Sequence, residues 1–203
     1  LGGWWLGAML ATELAARRGD RCCGLVTLAS NPSLVSRDDW PSGMPASTFE
    51  PFLSGFREAP NTTLKRFCLL CSQGSAEPRA LASQLLSGAP KAQPDILLAG
   101  LELLGKLDTR RALQAFNGPQ LHLFAGLDGL LPVQAATDML ALLPDVEVGL
   151  IEQACHAFLL EAPHELAAAI QAFLLKSFIA YTLILTNAVS YNGVPLNNTG
   201  RSE

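Results

Sequence analysis

The chain has 203 residues, a length that suits one domain with room for an insertion. Apolar residues make up 49% and charged residues 16%, so a packed core is expected and wholesale disorder is excluded. The net charge of −4 argues against nucleic acid as the main partner.

Taken in order, Gly3-Trp4-Trp5-Leu6-Gly7 reads as a tight strand-to-helix turn, and residues 9–18 (MLATELAARR) as a helix stopped by Gly19. Residues 24–29 (GLVTLA) are a short apolar run of the buried-strand type. A loop follows at 31–43, and 47–57, 61–73, 77–87 and 93–105 carry helical patterns broken by Pro, Gly and Asn. Residues 120–125 return to strand, 133–143 to helix, 146–151 to strand and 163–176 to helix. Strands alternating with helices predict a parallel α/β sheet with a core at 1–39 and 112–177 and an inserted helical lid at 40–111. The tail at 178–203 starts apolar and ends polar, which suits a strand, a disordered extension or foreign sequence. Its apolar part, 178–185, is too short to span a bilayer, and no membrane role is expected.

The five cysteines (Cys22, Cys23, Cys68, Cys71 and Cys155) are odd in number and show no disulfide framework, which predicts a reducing, cytoplasmic setting. Cys68-Leu-Leu-Cys71 has CxxC spacing but no second CxxC, so it reads as two helical thiols rather than a metal site. The sequons at Asn61 and Asn197 carry no weight in such a setting.

Three segments carry chemistry. The glycine-flanked turn at 3–7 has the form of a nucleophile elbow, in which a helix N-terminus and the N–H after the central residue stabilise an oxyanion. Asp128 lies in the loop after the strand at 120–125, where an acid can orient a histidine, although taken alone such a residue is more often a helix cap or turn residue. His156 lies in the loop after the strand at 146–151, at the strand end where α/β sheets place ligands. Elbow, acid, histidine is the chain order of the α/β-hydrolases, and the 28 residues between Asp128 and His156 leave room for one helix and one strand. His122, inside a strand, reads as a core histidine, and His164 as a surface or capping residue.

The chain resembles the pimeloyl-acyl-carrier-protein methyl ester esterases of biotin synthesis, α/β-hydrolases with a helical lid. The likeness runs from Gly3 to Lys176. It rests on residues 3–7, Leu-Val-Thr-Leu-Ala-Ser at 25–30, Arg-Asp-Asp-Trp-Pro at 37–41, Arg66-Phe67, Gly-Leu-Glu-Leu-Leu at 100–104, Leu-Asp-Gly-Leu-Leu-Pro at 127–132 and Ala-Cys-His-Ala at 154–157. The resemblance implies Asp128 and His156 as triad acid and base, and the Leu6 N–H as an oxyanion donor. It implies Phe67, Cys68, Leu69, Leu70 and Cys71 along an acyl channel, and Arg66 and Arg79 as contacts for an acidic carrier protein bearing the pimeloyl methyl ester. It implies no metal or cofactor, and a monomer at full length.

The chain departs from the family pattern in two ways. Trp5 stands where the nucleophilic Ser is expected, and indole cannot form an acyl-enzyme, so this chain is expected to be catalytically silent. Ser30, Ser33 and Ser36 are not substitutes by position. The resemblance also places further strands and the other oxyanion donor before Gly3, about a third of the fold, so the chain reads as a fragment expected to aggregate when made alone. Two alternatives stand beside esterase action on the pimeloyl carrier ester: a non-catalytic member that binds acyl carrier protein, and a general short-chain carboxylesterase.

Overall fold

The computed structural model describes residues 1–89 and 93–191, with side chains through residue 179. Four parallel strands, β1 (Gly2–Trp4), β2 (Leu25–Leu28), β3 (Gln120–Ala125) and β4 (Glu147–Ile151), lie side by side in chain order. β3 is buried at every position, as a strand covered on both faces must be. Its Leu121, Leu123 and Ala125 face Leu166 and Phe173 on one side. Phe124 faces Ala11, Leu113 and Met139 on the other. Those partners come from α9 (Pro163–Tyr191) on the first face, and from α1 (Leu6–Arg18), α6 (Arg110–Ala115) and α7 (Gln134–Leu142) on the second.

The long connection from β2 to β3 carries α2 (Ala46–Glu58), α3 (Pro60–Cys71), α4 (Pro78–Gly88) and α5 (Pro94–Lys106), followed by α6. Three of these helices, α3, α4 and α5, open with proline, whose missing N–H costs nothing at a helix start. The connection is anchored at its base. Arg110 bonds Asp108 and Asp39 and lies over the Trp40 ring, while Trp40 donates to Asn31 Oδ1 at 2.7 Å. The hydrogen bond from Arg110 comes first among the causes that hold Asp108 below the usual carboxylate range.

Two short helices escape the sequence reading: α6, and α8 (Phe158–Glu161). The tail reading is corrected in part. The chain does not leave the helix after Lys176; α9 continues through Phe178 to Tyr191, because no Gly or Pro interrupts 177–191. Asn197 and the rest of 192–203 lie outside the described residues. Among the described residues no helix is long and apolar enough to cross a membrane.

Candidate active site

The C-terminal ends of β1, β3 and β4 deliver Trp5, Asp128 and His156 to one place. Trp5 caps α1 with φ 51° and ψ −115°, a backbone that costs an L residue about 1–3 kcal/mol. The conformation is fixed from both sides. Trp5 N–H donates to Leu28 C=O at 2.9 Å, and Trp5 C=O receives Ala8 and Met9 N–H and the Ser30 hydroxyl. Ser30 thus braces the turn from the neighbouring strand end. Gly3 is required by space, since a Cβ there would sit 2.4 Å from the Gly7 carbonyl carbon. A Cβ on Gly7 would meet nothing within 4 Å, so close packing does not require that glycine. Leu6 opens α1, and its N–H is one of the first-turn donors that no intrahelical carbonyl can satisfy.

Asp128 makes the contacts of a turn residue and a contact to the histidine at once. Its Oδ1 accepts Leu130 and Leu131 N–H at 2.8 and 2.9 Å, shaping the loop, while Oδ2 accepts His156 Nδ1–H at 2.8 Å. The pair is shut off from water, with side-chain exposures of 0% for His156 and 3% for Asp128. A proton on Nδ1 leaves the lone pair on Nε2, the tautomer a general base needs. That Nε2 is buried without a hydrogen-bond partner among the described residues, and so is Trp5 Nε1. The Trp5 indole stands edge-on to the imidazole, with ring centroids 5.5 Å apart at 84°. Its face stacks on Phe67 of α3 at 4.7 Å.

Beside this ring lies a cavity of about 260 Å³, walled by Trp5, Phe49, Phe52, Phe67 and Leu70, with Arg66 among its lining residues. The expected channel segment is therefore corrected. Phe67 and Leu70, three apart on α3, share the cavity face, whereas Leu69 turns to solvent at 49% exposure. Cys71 is buried with Leu81, Cys155 and Ala157 behind the helix, and Cys68 is buried without lining the cavity. Burial pushes both thiols up, which keeps them protonated. Arg79 is exposed on α4, and neither it nor Arg66 has an ion-pair partner among the described residues.

His122 sits in the core as expected, between Thr27 and Gln120. His164 is exposed at the start of α9. Two contacts of the site were not read from sequence. Trp4 Nε1–H donates to His156 C=O at 3.1 Å, and Glu161 accepts Cys155 N–H at 2.9 Å. Neither has a sequence signal of its own: the first joins a strand end to a loop 152 residues on, and the second depends on how the loop before α8 folds back on that helix. No group of three or more His, Cys, Asp or Glu that could hold a metal occurs among the described residues.

No family model matches the chain. Over 171 residues it is 39% identical to the biotin biosynthesis bifunctional protein BioHC of Cellvibrio japonicus, which covers 84% of this chain and 34% of that protein. Over 174 residues it is 33% identical to the pimeloyl-[acyl-carrier protein] methyl ester esterase of Vibrio parahaemolyticus, covering 84% and 68%. The chain thus spans 34% of the length of the bifunctional relative and 68% of that of the single-function one. Among solved structures, an esterase from Exiguobacterium antarcticum matches with a TM-score of 0.77 at 17% identity, over 85% of this chain and 65% of that one. That likeness shows the fold, a partial α/β-hydrolase fold with a parallel sheet. From the sequence relatives, the chain belongs to the family of pimeloyl-[acyl-carrier protein] methyl ester esterases.

Proposed function

We propose that the protein is a carboxylic ester hydrolase acting on the methyl ester of a pimeloyl group held by acyl carrier protein, and that the chain with Trp5 is silent. The buried Asp128–His156 pair beside residue 5 carries this reading: Nδ1 is held by Asp128, Nε2 is unpaired among the described residues, and Trp5 offers no hydroxyl whose proton that nitrogen could take. With Ser at position 5, His156 Nε2 would take the hydroxyl proton as the oxygen attacks the ester carbonyl. Asp128 would hold the imidazolium, and the Leu6 N–H would face the developing oxyanion. His156 would then pass its proton to the methoxide oxygen as the C–O bond breaks and methanol leaves an acyl-enzyme, and would next take a proton from the water that releases the acid and restores the serine. Helices α2 to α5 act as the lid over residue 5, and the apolar cavity beside Phe67 takes the acyl chain. Arg66 and Arg79, without ion-pair partners among the described residues, offer their guanidinium groups to an acidic carrier.

The test is Trp5→Ser. The unaltered chain is expected to leave p-nitrophenyl butyrate and pimeloyl-carrier methyl ester untouched, Trp5→Ser to hydrolyse both, and His156→Ala to return the variant to background. An unaltered chain whose turnover His156→Ala abolishes would sink the silent reading. A folded Trp5→Ser chain without activity would sink the assignment of the centre.

A second reading is favoured by the way Trp5 is accommodated, stacked on Phe67 and wedged against His156. It makes the chain a non-catalytic binder of acyl carrier protein. It predicts salt-sensitive binding by the unaltered chain, weakened by Arg66→Ala and Arg79→Ala. A general short-chain esterase would instead act on the p-nitrophenyl ester alone.

A further inference from the structure

Glu161 closes α8, five positions after His156, and ester hydrolysis as derived above makes no use of it. Its Oε2 accepts Cys155 N–H, the amide next to His156, at 2.9 Å. The same carboxylate faces the turn between α3 and α4: it lines one small cavity with Ser75, and Ser75 and Ala76 both help to hold its carboxyl down. One side chain therefore ties the histidine loop to the end of the helix that carries Phe67.

Other contacts run along the same seam. Ala157 N–H donates to Cys71 C=O at 3.1 Å, again joining the histidine loop to the end of α3. Gly74, at φ +97°, presses so closely on the loop of Asp128 that a Cβ there would lie 2.4 Å from Leu127 C=O. Trp4 Nε1–H also holds the His156 C=O. Of these ties, only the one at Glu161 carries a charge.

That charge survives in spite of its surroundings. Burial pushes the Glu161 carboxyl up, but the donors of Cys155, Ser75 and Ala76 outweigh it and leave it below the usual carboxylate range. The Cys155 thiol is pushed up to about 12, by burial first and then by its bond to Glu161, so it remains a donor. Every neighbour named presents a donor. An amide in place of the carboxylate would set its NH₂ against N–H groups, so Gln fits by shape and fails by donor pattern.

We infer that Glu161 is a positioning residue that clamps the 154–157 loop to the α3–α4 turn and so holds the His156 ring on Asp128. The inference rests on the reading of Asp128 and His156 as a working pair. Its measurement, however, needs no turnover.

The experiment compares the unaltered chain with Glu161→Gln and Glu161→Ala by proton NMR of the hydrogen shared by His156 Nδ1 and Asp128, with His156→Gln as the assignment control. The unaltered chain is expected to show a sharp downfield resonance. Both variants are expected to broaden it or to speed its exchange with solvent by about tenfold, as a loosened loop would. Glu161→Gln keeps the side chain's shape, so it carries the test where Glu161→Ala fails to fold. A resonance and exchange rate unchanged in folded Glu161→Gln would overturn the inference. So would the absence of the resonance in the unaltered chain, since there would be no pair to hold.

In the Trp5→Ser background, Glu161→Gln is expected to lower kcat about tenfold with KM within about twofold, the mark of a misplaced base rather than a lost binding contact. An inactive Trp5→Ser chain with a normal resonance would refute the esterase reading and leave the clamp standing.

Discussion

His122 and His156 are both shut away from solvent, and their surroundings differ in one respect. His122 lies within β3, opposite Thr27 on β2. Gln120 spends its amide on the carbonyls of Leu113 and Phe116, so its Oε1 is left to accept His122 Nε2–H at 3.2 Å. Nδ1 then accepts the Thr27 hydroxyl at 2.7 Å. Both nitrogens are used, and burial pushes the ring down to about 4, so it stays neutral. His156 uses one nitrogen on Asp128 and keeps the other unpaired among the described residues. A buried polar atom with a partner is accounted for by the fold; a buried lone pair without one, on a ring already held by a carboxylate, makes His156 the candidate for chemistry and His122 not.

Four experiments break or sharpen that contrast. The largest effect is expected from Asp128→Asn in the Trp5→Ser chain, which frees the tautomer of His156. The kcat for p-nitrophenyl butyrate should fall ~10³–10⁴-fold, and a loss below tenfold would deny the pair its role. Next is the pH dependence of His122. The unfolded chain takes up a proton at about pH 6.5 whereas the folded ring resists until about 4, so the unfolded state binds more protons between those values. Stability is therefore fully present above pH 6.5 and declines as pH falls toward 4, by on the order of 3 kcal/mol. Urea titrations at several pH values would show the slope, and its persistence in His122→Leu would assign it elsewhere.

His122→Leu itself should cost about 1–3 kcal/mol at pH 8, because Thr27 and Gln120 each lose a buried partner. In the Trp5→Ser background it should leave kcat within about twofold, since the ring lies apart from the reacting groups. Loss of turnover in that variant would erase the distinction between the two histidines. The smallest effects lie at the surface. Arg66→Ala and Arg79→Ala should each weaken carrier-protein binding a few-fold at low salt, and the difference should vanish at high salt. Calorimetry across an ionic-strength series would reveal it.

Sequence made the long elements legible because each carries its own signal. The apolar run at β3 and the proline or glycine stops of α2 to α5 need no tertiary context. The short helices α6 and α8 have too few turns to show a period. The loop positions of Asp128 and His156 followed from strand order, since parallel strands send their C-terminal ends to one rim. What position along the chain could not reveal is facing. Five consecutive residues, Phe67 to Cys71, circle α3, so only Phe67 and Leu70 among them reach the cavity. Glu161 and Trp4 stayed hidden because their partners are backbone groups, which no side-chain motif announces.

Trp4 and Trp5 flank His156 with ring centroids at 5.2 and 5.5 Å, and this arrangement has an optical consequence. Two of the three tryptophans therefore share one aromatic cluster with that imidazole, while Trp40 stands apart beside Arg110 and Asn31. Indole emission, which responds to what lies against the ring, thus reports whether the cluster around His156 is intact without any need for turnover.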